Sequence, residues 1–213
     1  MFDYIFGYLL WIVIAGIVIF MVLSRNKDAK AKEALPFAQA GVAHEQAGRF
    51  DVAIADYDQA LAIDPKLAGI LCRRGRTHHS NGDYDRAITD FSKAIALIAK
   101  DDGPLLGRGA AFEAKSMLKQ AFDDYSRAIK ISGSALAYHA RGTAHLRSGA
   151  FEAAIKDFTA AIRKDQLLVA VYQDRAVAYG RIGQRDKAEA DHRRAAQIGA
   201  RQQMSQVAGA RSA

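Results

Sequence analysis

The sequence predicts an all-α protein in which five helical hairpins form a solenoid preceded by one transmembrane helix. Three observations lead to this fold class. Residues 4–23 are an uncharged, apolar run of 20 residues. A pattern of small and aromatic residues then recurs at steps of 33 or 34 residues, which is typical of repeat proteins. The clearest copy, residues 141–161, is divided by Gly149, which predicts two short helices joined by a turn.

The apolar run is long enough to span a membrane. As a helix, 20 residues measure about 30 Å, which matches the hydrocarbon thickness of a bilayer. No basic segment precedes the run and no small-x-small site follows it, so we favour an uncleaved anchor (residues 1–24) over a signal peptide or a buried core helix. Tyr4, Tyr8 and Trp11 share one face and are interpreted as interfacial anchors. We therefore expect residues 4–23 to contact the lipid bilayer.

Charge asymmetry across this span predicts its orientation. Asp3 is the only charge before it. Four cations follow within ten residues: Arg25, Lys27, Lys30 and Lys32. The positive-inside rule then predicts a single-pass protein of a bacterial inner membrane with cytoplasmic repeats. Residues 25–33 form a basic juxtamembrane linker, whose lysines either lie near anionic headgroups or only set the topology. The first repeat helix is expected to begin near Pro36.

Residues 34–202 contain the repeats. A small residue recurs in the first helix of each: Gly41, Gly75, Gly109, Gly142 and Ala176. An aromatic residue recurs in the second helix: Tyr57, Phe91, Tyr125 and Phe158. The predicted units are 34–67, 68–101, 102–134, 135–168 and 169–202, followed by a flexible tail at 203–213. Because large side chains would hold the backbones of a hairpin apart, Gly142 and Ala154 are interpreted as close crossing points.

The fifth unit differs from the others in the outer helix. Arg185, Glu189 and His192 replace apolar residues of the fourth unit there. A terminal repeat needs a polar outer face, so this unit is expected to cap the solenoid.

This period and pattern resemble the tetratricopeptide repeat family over roughly residues 34–202. The resemblance implies helix pairs stacked into a right-handed superhelix with a concave peptide-binding face. The closing proline of the family appears at Pro65, and His44, His78 and His145 stand where the family usually has tyrosine. These histidines carry polar nitrogens that need partners.

The resemblance also implies a binding site, because five positions of each first helix line the groove in the family. Carrying these positions over, with Arg73 beside them, gives the candidate groove residues: Arg73, Arg76, His79, Glu113, His139, Thr143, Arg147, Gln173 and Arg181. The clamp with which chaperone-binding members hold a terminal carboxylate is replaced by Ala38 and Val42, which disfavours a chaperone co-receptor. Arginine suits forked contacts with carboxylates, so we expect a partner with an acidic segment.

Arginine and aspartate recur at a fixed offset of 16 within the repeats, beginning with Arg74 and Asp90. An equally regular scheme pairs each aspartate with the arginine of the next repeat, beginning with Asp56 and Arg74. The sequence does not separate the two schemes. In either case these charges are structural, and we predict no nucleic-acid surface from them.

The sequence offers little support for catalysis. It contains no glycine-rich phosphate loop, HExxH motif or nucleophile elbow, so we predict no enzyme and no cofactor. The single cysteine, Cys72, allows neither an intramolecular disulfide nor a zinc cluster of thiols. His78, His79 and His139 lack accompanying ligands at metal-binding spacing. A net charge of +7 favours acidic partners or anionic lipid.

These observations favour a membrane-anchored adaptor or scaffold that binds a protein segment in its groove and localises an assembly at the membrane. The alternative is an exported, periplasm-facing factor in envelope assembly or translocation. A third class is an enzyme regulator or divergent hydrolase. The layout resembles the bacterial lipopolysaccharide assembly protein B family, but that family carries a cysteine-rich metal domain that one cysteine cannot build.

Overall fold

The computed structural model describes residues 28–211, with side chains for residues 28–206, and this part of the chain is helical between short turns. Helix α1 covers residues 28–46. The following helices are α2 (Phe50–Ile63), α3 (Ala68–Ser80), α4 (Tyr84–Leu97), α5 (Gly103–Ala114), α6 (Leu118–Ser132), α7 (Ala135–Arg147), α8 (Phe151–Lys164), α9 (Val169–Arg181) and α10 (Arg185–Arg211). The predicted all-α class is confirmed.

Two compact units make up the described chain. The first contains α1–α3 and extends to Gly82, and the second contains α4–α10 and begins at Asp83. Within the second unit, α5 packs on α6, α7 on α8 and α9 on α10. In addition, α5 contacts α7 and α7 contacts α9, so the first helices of successive hairpins lie side by side in one layer. This is the arrangement of a helical solenoid.

The turn between the two helices of a hairpin requires a left-handed backbone. Gly149, between α7 and α8, has φ +80° and adopts it without steric cost. Ser116 occupies the corresponding position between α5 and α6 with φ 60°, and it is the non-glycine residue with positive φ among those described. The third hairpin therefore carries backbone strain where the fourth carries none.

The recurring glycine of the first helix makes room for the aromatic ring of the second. A Cβ atom added to Gly142 would lie 2.7 Å from Cε1 of Phe158, and one added to Gly109 would lie 2.5 Å from Cε1 of Tyr125. Phe158 is completely buried, as is Ala154. Gly142 thus lies against the ring of Phe158, whereas the close crossing of Gly142 with Ala154 stays a prediction.

The recurring arginines and aspartates pair within the repeat in the second unit. The guanidinium of Arg141 donates from Nε and Nη2 to both carboxylate oxygens of Asp157 at 2.8 Å. Equivalent forked contacts join Arg108 to Asp124 and Arg175 to Asp191. Through these hydrogen bonds, Asp157 raises the pKa of the Arg141 guanidinium and Asp191 raises that of the Arg175 guanidinium.

Each of these arginines also reaches back to the preceding repeat. Nη1 donates to a hydroxyl of the previous second helix at about the same distance each time: Arg108 to Ser92 at 2.9 Å, Arg141 to Ser126 at 3.1 Å, and Arg175 to Thr159 at 3.0 Å. In the first unit, Nη1 of Arg74 contacts Oδ1 of Asp58 at 2.5 Å. The arginine thus joins neighbouring repeats as well as the two helices of its own repeat.

The histidines that replace tyrosine have polar neighbours or are buried. Nδ1 of His44 lies 2.6 Å from Oδ2 of Asp56, and Nε2 of His145 lies 3.8 Å from Oδ2 of Asp157. Burial lowers the pKa of His145 although Asp157 acts in the opposite direction. No buried side-chain nitrogen or oxygen within residues 28–206 lacks a hydrogen-bond partner.

Two helices extend past their expected limits. α1 continues through Pro36, which was expected at its start, and Ala34 in the preceding turn is only 1% exposed. Packing therefore supports this turn despite the hydrogen bond that proline removes. α10 continues to Arg211, so residues 203–211 are helical where a flexible tail was expected. Ala200 occupies the position of the family's closing proline, so no proline ends the helix there. The side chain of Gln202 also donates a hydrogen bond from Nε2 to the carbonyl of Leu167 at 3.1 Å.

The remaining sequence predictions concern the terminal regions. Arg185, Glu189 and His192 are exposed, as expected for a capping helix. The predicted anchor, residues 4–23, lies outside the described residues, as do residues 25–27 of the linker. From residue 28 to residue 211, no helix combines the length and the apolar character needed to cross a membrane.

Candidate functional site

The predicted groove residues fall into two groups, one in each unit. Arg73, Arg76 and His79 lie on α3. The other six lie on the layer of first helices in the second unit: Glu113 on α5; His139, Thr143 and Arg147 on α7; Gln173 and Arg181 on α9. We call the exposed surface of α5, α7 and α9 that carries these six residues the A-helix face.

Two of the α3 arginines share one carboxylate. Nη1 of Arg73 and Nη2 of Arg76 each lie 3.3 Å from a carboxylate oxygen of Glu45 on α1. The hydroxyl of Tyr57 donates to the same carboxylate at 2.7 Å. Burial alone would raise the pKa of Glu45, but the hydrogen bond from Tyr57 and the charges of Arg76 and Arg73 hold that pKa below its ordinary value. Glu45 is therefore ionised at neutral pH and neutralises part of this arginine pair.

The A-helix face contains a similar contact around Glu113. Its carboxylate accepts a hydrogen bond from the Tyr125 hydroxyl at 3.0 Å and one from Nη1 of Arg147 at 2.7 Å. The Glu113 side chain is 9% exposed, whereas that of Arg147 is 69% exposed. Burial and the Glu113 carboxylate raise the pKa of the Tyr125 hydroxyl, so this hydroxyl stays protonated and can donate. Glu113 thus lies beneath Arg147 and fixes one edge of its guanidinium.

These glutamates were not recognised as organising residues from the sequence, although a signal exists. Glutamate precedes tyrosine by 12 residues in the first and third repeats, at Glu45 and Glu113. At the matching position the fourth repeat has Leu146, and its aromatic residue is Phe158, which has no hydroxyl to satisfy. A tyrosine hydroxyl in this core needs an acceptor, and the glutamate supplies it.

A hydrogen-bond contact between α7 and α9 occupies the middle of the A-helix face. Nε2 of His139 lies 2.6 Å from Oδ2 of Asp174. The hydroxyl of Thr143 donates to the backbone carbonyl of His139 at 3.0 Å, so its hydrogen atom is used within α7. Asp174, an acidic residue of the predicted groove, remains 34% exposed beside this contact.

Comparison with known families identifies the repeating unit. A model of the TPR repeat matches residues 41–82, and a tetratricopeptide repeat model matches residues 68–101 and 135–165. These segments are tetratricopeptide repeats. A comparison with curated protein sequences gives no match.

Solved structures share the fold of these tetratricopeptide repeats. A crystal structure of the MamA protein is 25% identical, with a TM-score of 0.64, over 78% of this chain and 91% of that one. PilF of Pseudomonas aeruginosa is 17% identical, with a TM-score of 0.71, over 80% of this chain and 78% of that one. YrrB is 21% identical, with a TM-score of 0.57, over 78% and 86%. The chain therefore has the fold of a tetratricopeptide repeat protein.

The A-helix face also exposes apolar side chains. Leu136 at the start of α7 is 59% exposed, and Val177 in the middle of α9 is 44% exposed. Gln173 and Arg181 are exposed on the same helix as Val177. Among the described residues none forms an ion pair with Arg181. The A-helix face therefore offers apolar contacts, an amide and a cation to a ligand.

The candidate site contains no arrangement suited to a metal ion. Within residues 28–206 the histidine, cysteine and carboxylate side chains form no group of three or more that could hold one. His79 on α3 is half-buried, and Nε2 of His139 is within hydrogen-bond distance of Asp174.

Proposed function

We propose that this chain is a membrane-anchored adaptor whose A-helix face binds a segment of a partner protein. Residues 4–23 would hold the resulting assembly at a bacterial inner membrane, with the repeats in the cytoplasm. The anchor is supported by the uncharged run and the orientation by the cations that follow it. No catalytic step belongs to this proposal.

The exposure of the A-helix face is the observation that carries the proposal. The recurring aromatic residues and alanines of the second helices, such as Phe158 and Ala154, are buried, but Leu136 and Val177 remain in solvent. Exposed apolar residues beside an exposed amide and a guanidinium are typical of protein-binding surfaces. YrrB, which shares the fold, is described as a tetratricopeptide protein with an unusual peptide-binding site. That description supports a protein segment as the ligand here.

The proposed preference for an acidic ligand segment does not rest on all the arginines of the predicted groove, because glutamates of the same chain neutralise part of their charge. Arg73, Arg76 and Arg147 all contact glutamates of the same chain. Arg76 and Arg147 still have side chains that are 61% and 69% exposed, so each keeps donors that a partner carboxylate can approach. On the A-helix face, Arg147 and Arg181 form the positive part of the proposed ligand surface, and their charges are expected to govern the association rate more than the affinity.

Site-specific photo-crosslinking in the full-length chain tests the binding surface. A photoreactive side chain at Gln173, exposed on the A-helix face, should give a discrete cross-linked product in cells. The matched control is Lys156, exposed on the second helix α8. Products at Lys156 but not at Gln173 would place the partner on the other helix layer and refute the proposal.

Charge reversal at Arg181 provides a second measurement on the same surface. Arg181→Glu should reduce the yield of the Gln173 product, and the reduction should shrink at high salt because screening weakens exposed charge contacts. Arg193→Glu is the control, since Arg193 is 68% exposed on α10 and pairs only weakly with Glu189 at 3.5 Å. Arg147→Glu is a poor choice, because it would place a second carboxylate against Glu113, which is 9% exposed.

A further inference from the structure

We infer that the A-helix face between α7 and α9 recognises two features of its ligand: an apolar side chain at one end and a carboxylate about five residues away. This inference rests on the proposed function and specifies the segment that the face would accept. The apolar feature lies beside Leu136, at the start of α7. The carboxylate lies between Arg147 and Arg181, at the ends of α7 and α9.

The side chains concerned point to the same side of their helices. Leu136, His139, Thr143 and Arg147 are spaced at i, i+3, i+7 and i+11, which is one face of an α-helix. Gln173, Val177 and Arg181 follow at a constant offset of 34 on α9. The 2.6 Å contact between His139 and Asp174 holds the two helices side by side at the middle of this face.

The length of α7 sets the spacing between the two features. Leu136 and Arg147 are separated by 11 residues, which corresponds to about 16 Å along the helix axis. An extended segment advances about 3.3 Å per residue, so about five residues span this distance. The ligand therefore carries its apolar residue and its carboxylate five positions apart.

Arg147 and Arg181 differ in how they are prepared to bind a carboxylate. Nη1 of Arg147 is held by Glu113 at 2.7 Å, which orients the guanidinium while its other donors remain. Within the described chain no carboxylate pairs with Arg181. The position that holds Glu113 in the third repeat holds Leu146 in the fourth, so the fourth repeat supplies no glutamate to Arg181. A ligand carboxylate can take that place.

The middle of the face discriminates against a misplaced charge. Asp174 is 34% exposed between the two ends, and a ligand carboxylate beside it would be repelled. The Thr143 hydroxyl already donates within α7, whereas the exposed amide of Gln173 can bond to the ligand backbone. The position of the acidic residue therefore matters, and not only its presence.

Fluorescence anisotropy with labelled eight-residue peptides tests this inference on the full-length chain in detergent micelles. One peptide has leucine five residues before glutamate, a second has the reverse order, and a third of the same composition has the two residues adjacent. We expect one of the spaced peptides to bind up to about fivefold more tightly than the adjacent one, which is the range that a single exposed charge contact allows.

Two variants assign the two ends, each with a matched control. In wild type, the spaced peptide with leucine should bind more tightly than the same peptide with serine in place of leucine, and Leu136→Ser should abolish this difference. Leu167→Ser is the control and should leave the difference unchanged, since Leu167 is 61% exposed in the turn before α9. Arg181→Gln should abolish the advantage of glutamate over glutamine, while Arg193→Gln should not. Circular dichroism checks that each variant is folded.

The outcomes separate this inference from the proposed function. Equal binding of the spaced and adjacent peptides, or no binding of any of them, overturns the two-point recognition. Neither result affects the cross-linking expected at Gln173, which tests whether the face binds a protein at all. Absence of that cross-link would instead refute the proposed function.

Discussion

Gly142→Ala should destabilise the second unit although alanine favours a helix. The added Cβ would lie 2.7 Å from Cε1 and 2.8 Å from Cδ1 of Phe158, and 3.3 Å from Cβ of Asp157. Phe158 is completely buried, so its ring has no free space to move into. Overpacking of this kind costs about 1–3 kcal/mol, and the helix propensity of alanine returns about 1 kcal/mol. We expect a net loss of about 1 kcal/mol in the free energy of unfolding.

Gly199→Ala is the matched control for this substitution. Gly199 also lies inside a helix, α10, but no atom lies within 4 Å of its added Cβ. This variant should therefore gain up to about 1 kcal/mol. Urea unfolding followed by circular dichroism measures both changes, and hydrogen exchange should show the Gly142 variant losing protection in α7 and α8 first.

A double mutant identifies the clash as the cause. Phe158→Leu alone should destabilise by removing core volume. Combined with Gly142→Ala it should cost less than the two single losses added together, because leucine vacates the space that the new methyl group needs. Additive losses, or a Gly142→Ala variant as stable as Gly199→Ala, would show that the ring of Phe158 is not what excludes a side chain there.

Four further predictions follow from single features. Ala154→Leu should lower the free energy of unfolding by roughly 1–3 kcal/mol, since Ala154 is fully buried, with protection lost in the fourth and fifth repeats before the first two. Ser116→Gly should raise the melting temperature by relieving a φ of 60°, a gain of about 1 kcal/mol. Because burial lowers the pKa of His145, the unfolded chain takes up a proton first as the pH falls through 6.5, so stability should drop there. This part of the pH dependence should be missing from His145→Gln. A reporter fused after Ala213 should be active only if it works in the cytoplasm, and activity of a periplasm-dependent reporter would favour the exported alternative.

The helical pairs could be predicted because their determinants are local. A recurring glycine and a recurring aromatic residue, at steps of 33 or 34, are enough to place two helices per repeat. The helix ends were harder, since they depend on tertiary contacts. Pro36 lies inside α1, and the Gln202 side chain of α10 donates a hydrogen bond to Leu167 in the turn before α9, where the helix continues past residue 202.

The partners of the recurring arginines could not be predicted from the sequence period. Offsets within a repeat and between repeats are equally regular along the chain, so the two schemes look alike in sequence. In the structure Arg141 contacts Asp157 of its own repeat and Ser126 of the preceding one. A guanidinium has five donors and serves both partners at once. The two sequence schemes considered only aspartate as a partner, and so they missed the hydroxyl of the preceding repeat that the same arginine also contacts.

The charge of the candidate site could not be obtained by counting arginines. Arg147 is neutralised by Glu113, 34 residues earlier, and Arg76 by Glu45, 31 residues earlier. These separations join successive repeats, so no local pattern reveals them. The family positions located the A-helix face, but the contacts between repeats determine which of its cations a ligand meets.

Arg181 has no ion-pair partner among the described residues, and the identity of a buried aromatic residue one repeat earlier explains why. Tyr125 in the third repeat needs an acceptor for its hydroxyl, Glu113 provides it, and the remaining charge of Glu113 binds Arg147. The fourth repeat has phenylalanine at the same position, Phe158, which belongs to an apolar cluster that Leu146 packs against and requires no carboxylate. Arg181 consequently receives no glutamate from the fourth repeat. A choice between tyrosine and phenylalanine in the core thus determines which arginine of the A-helix face shares its guanidinium with a glutamate of the preceding repeat and which one does not.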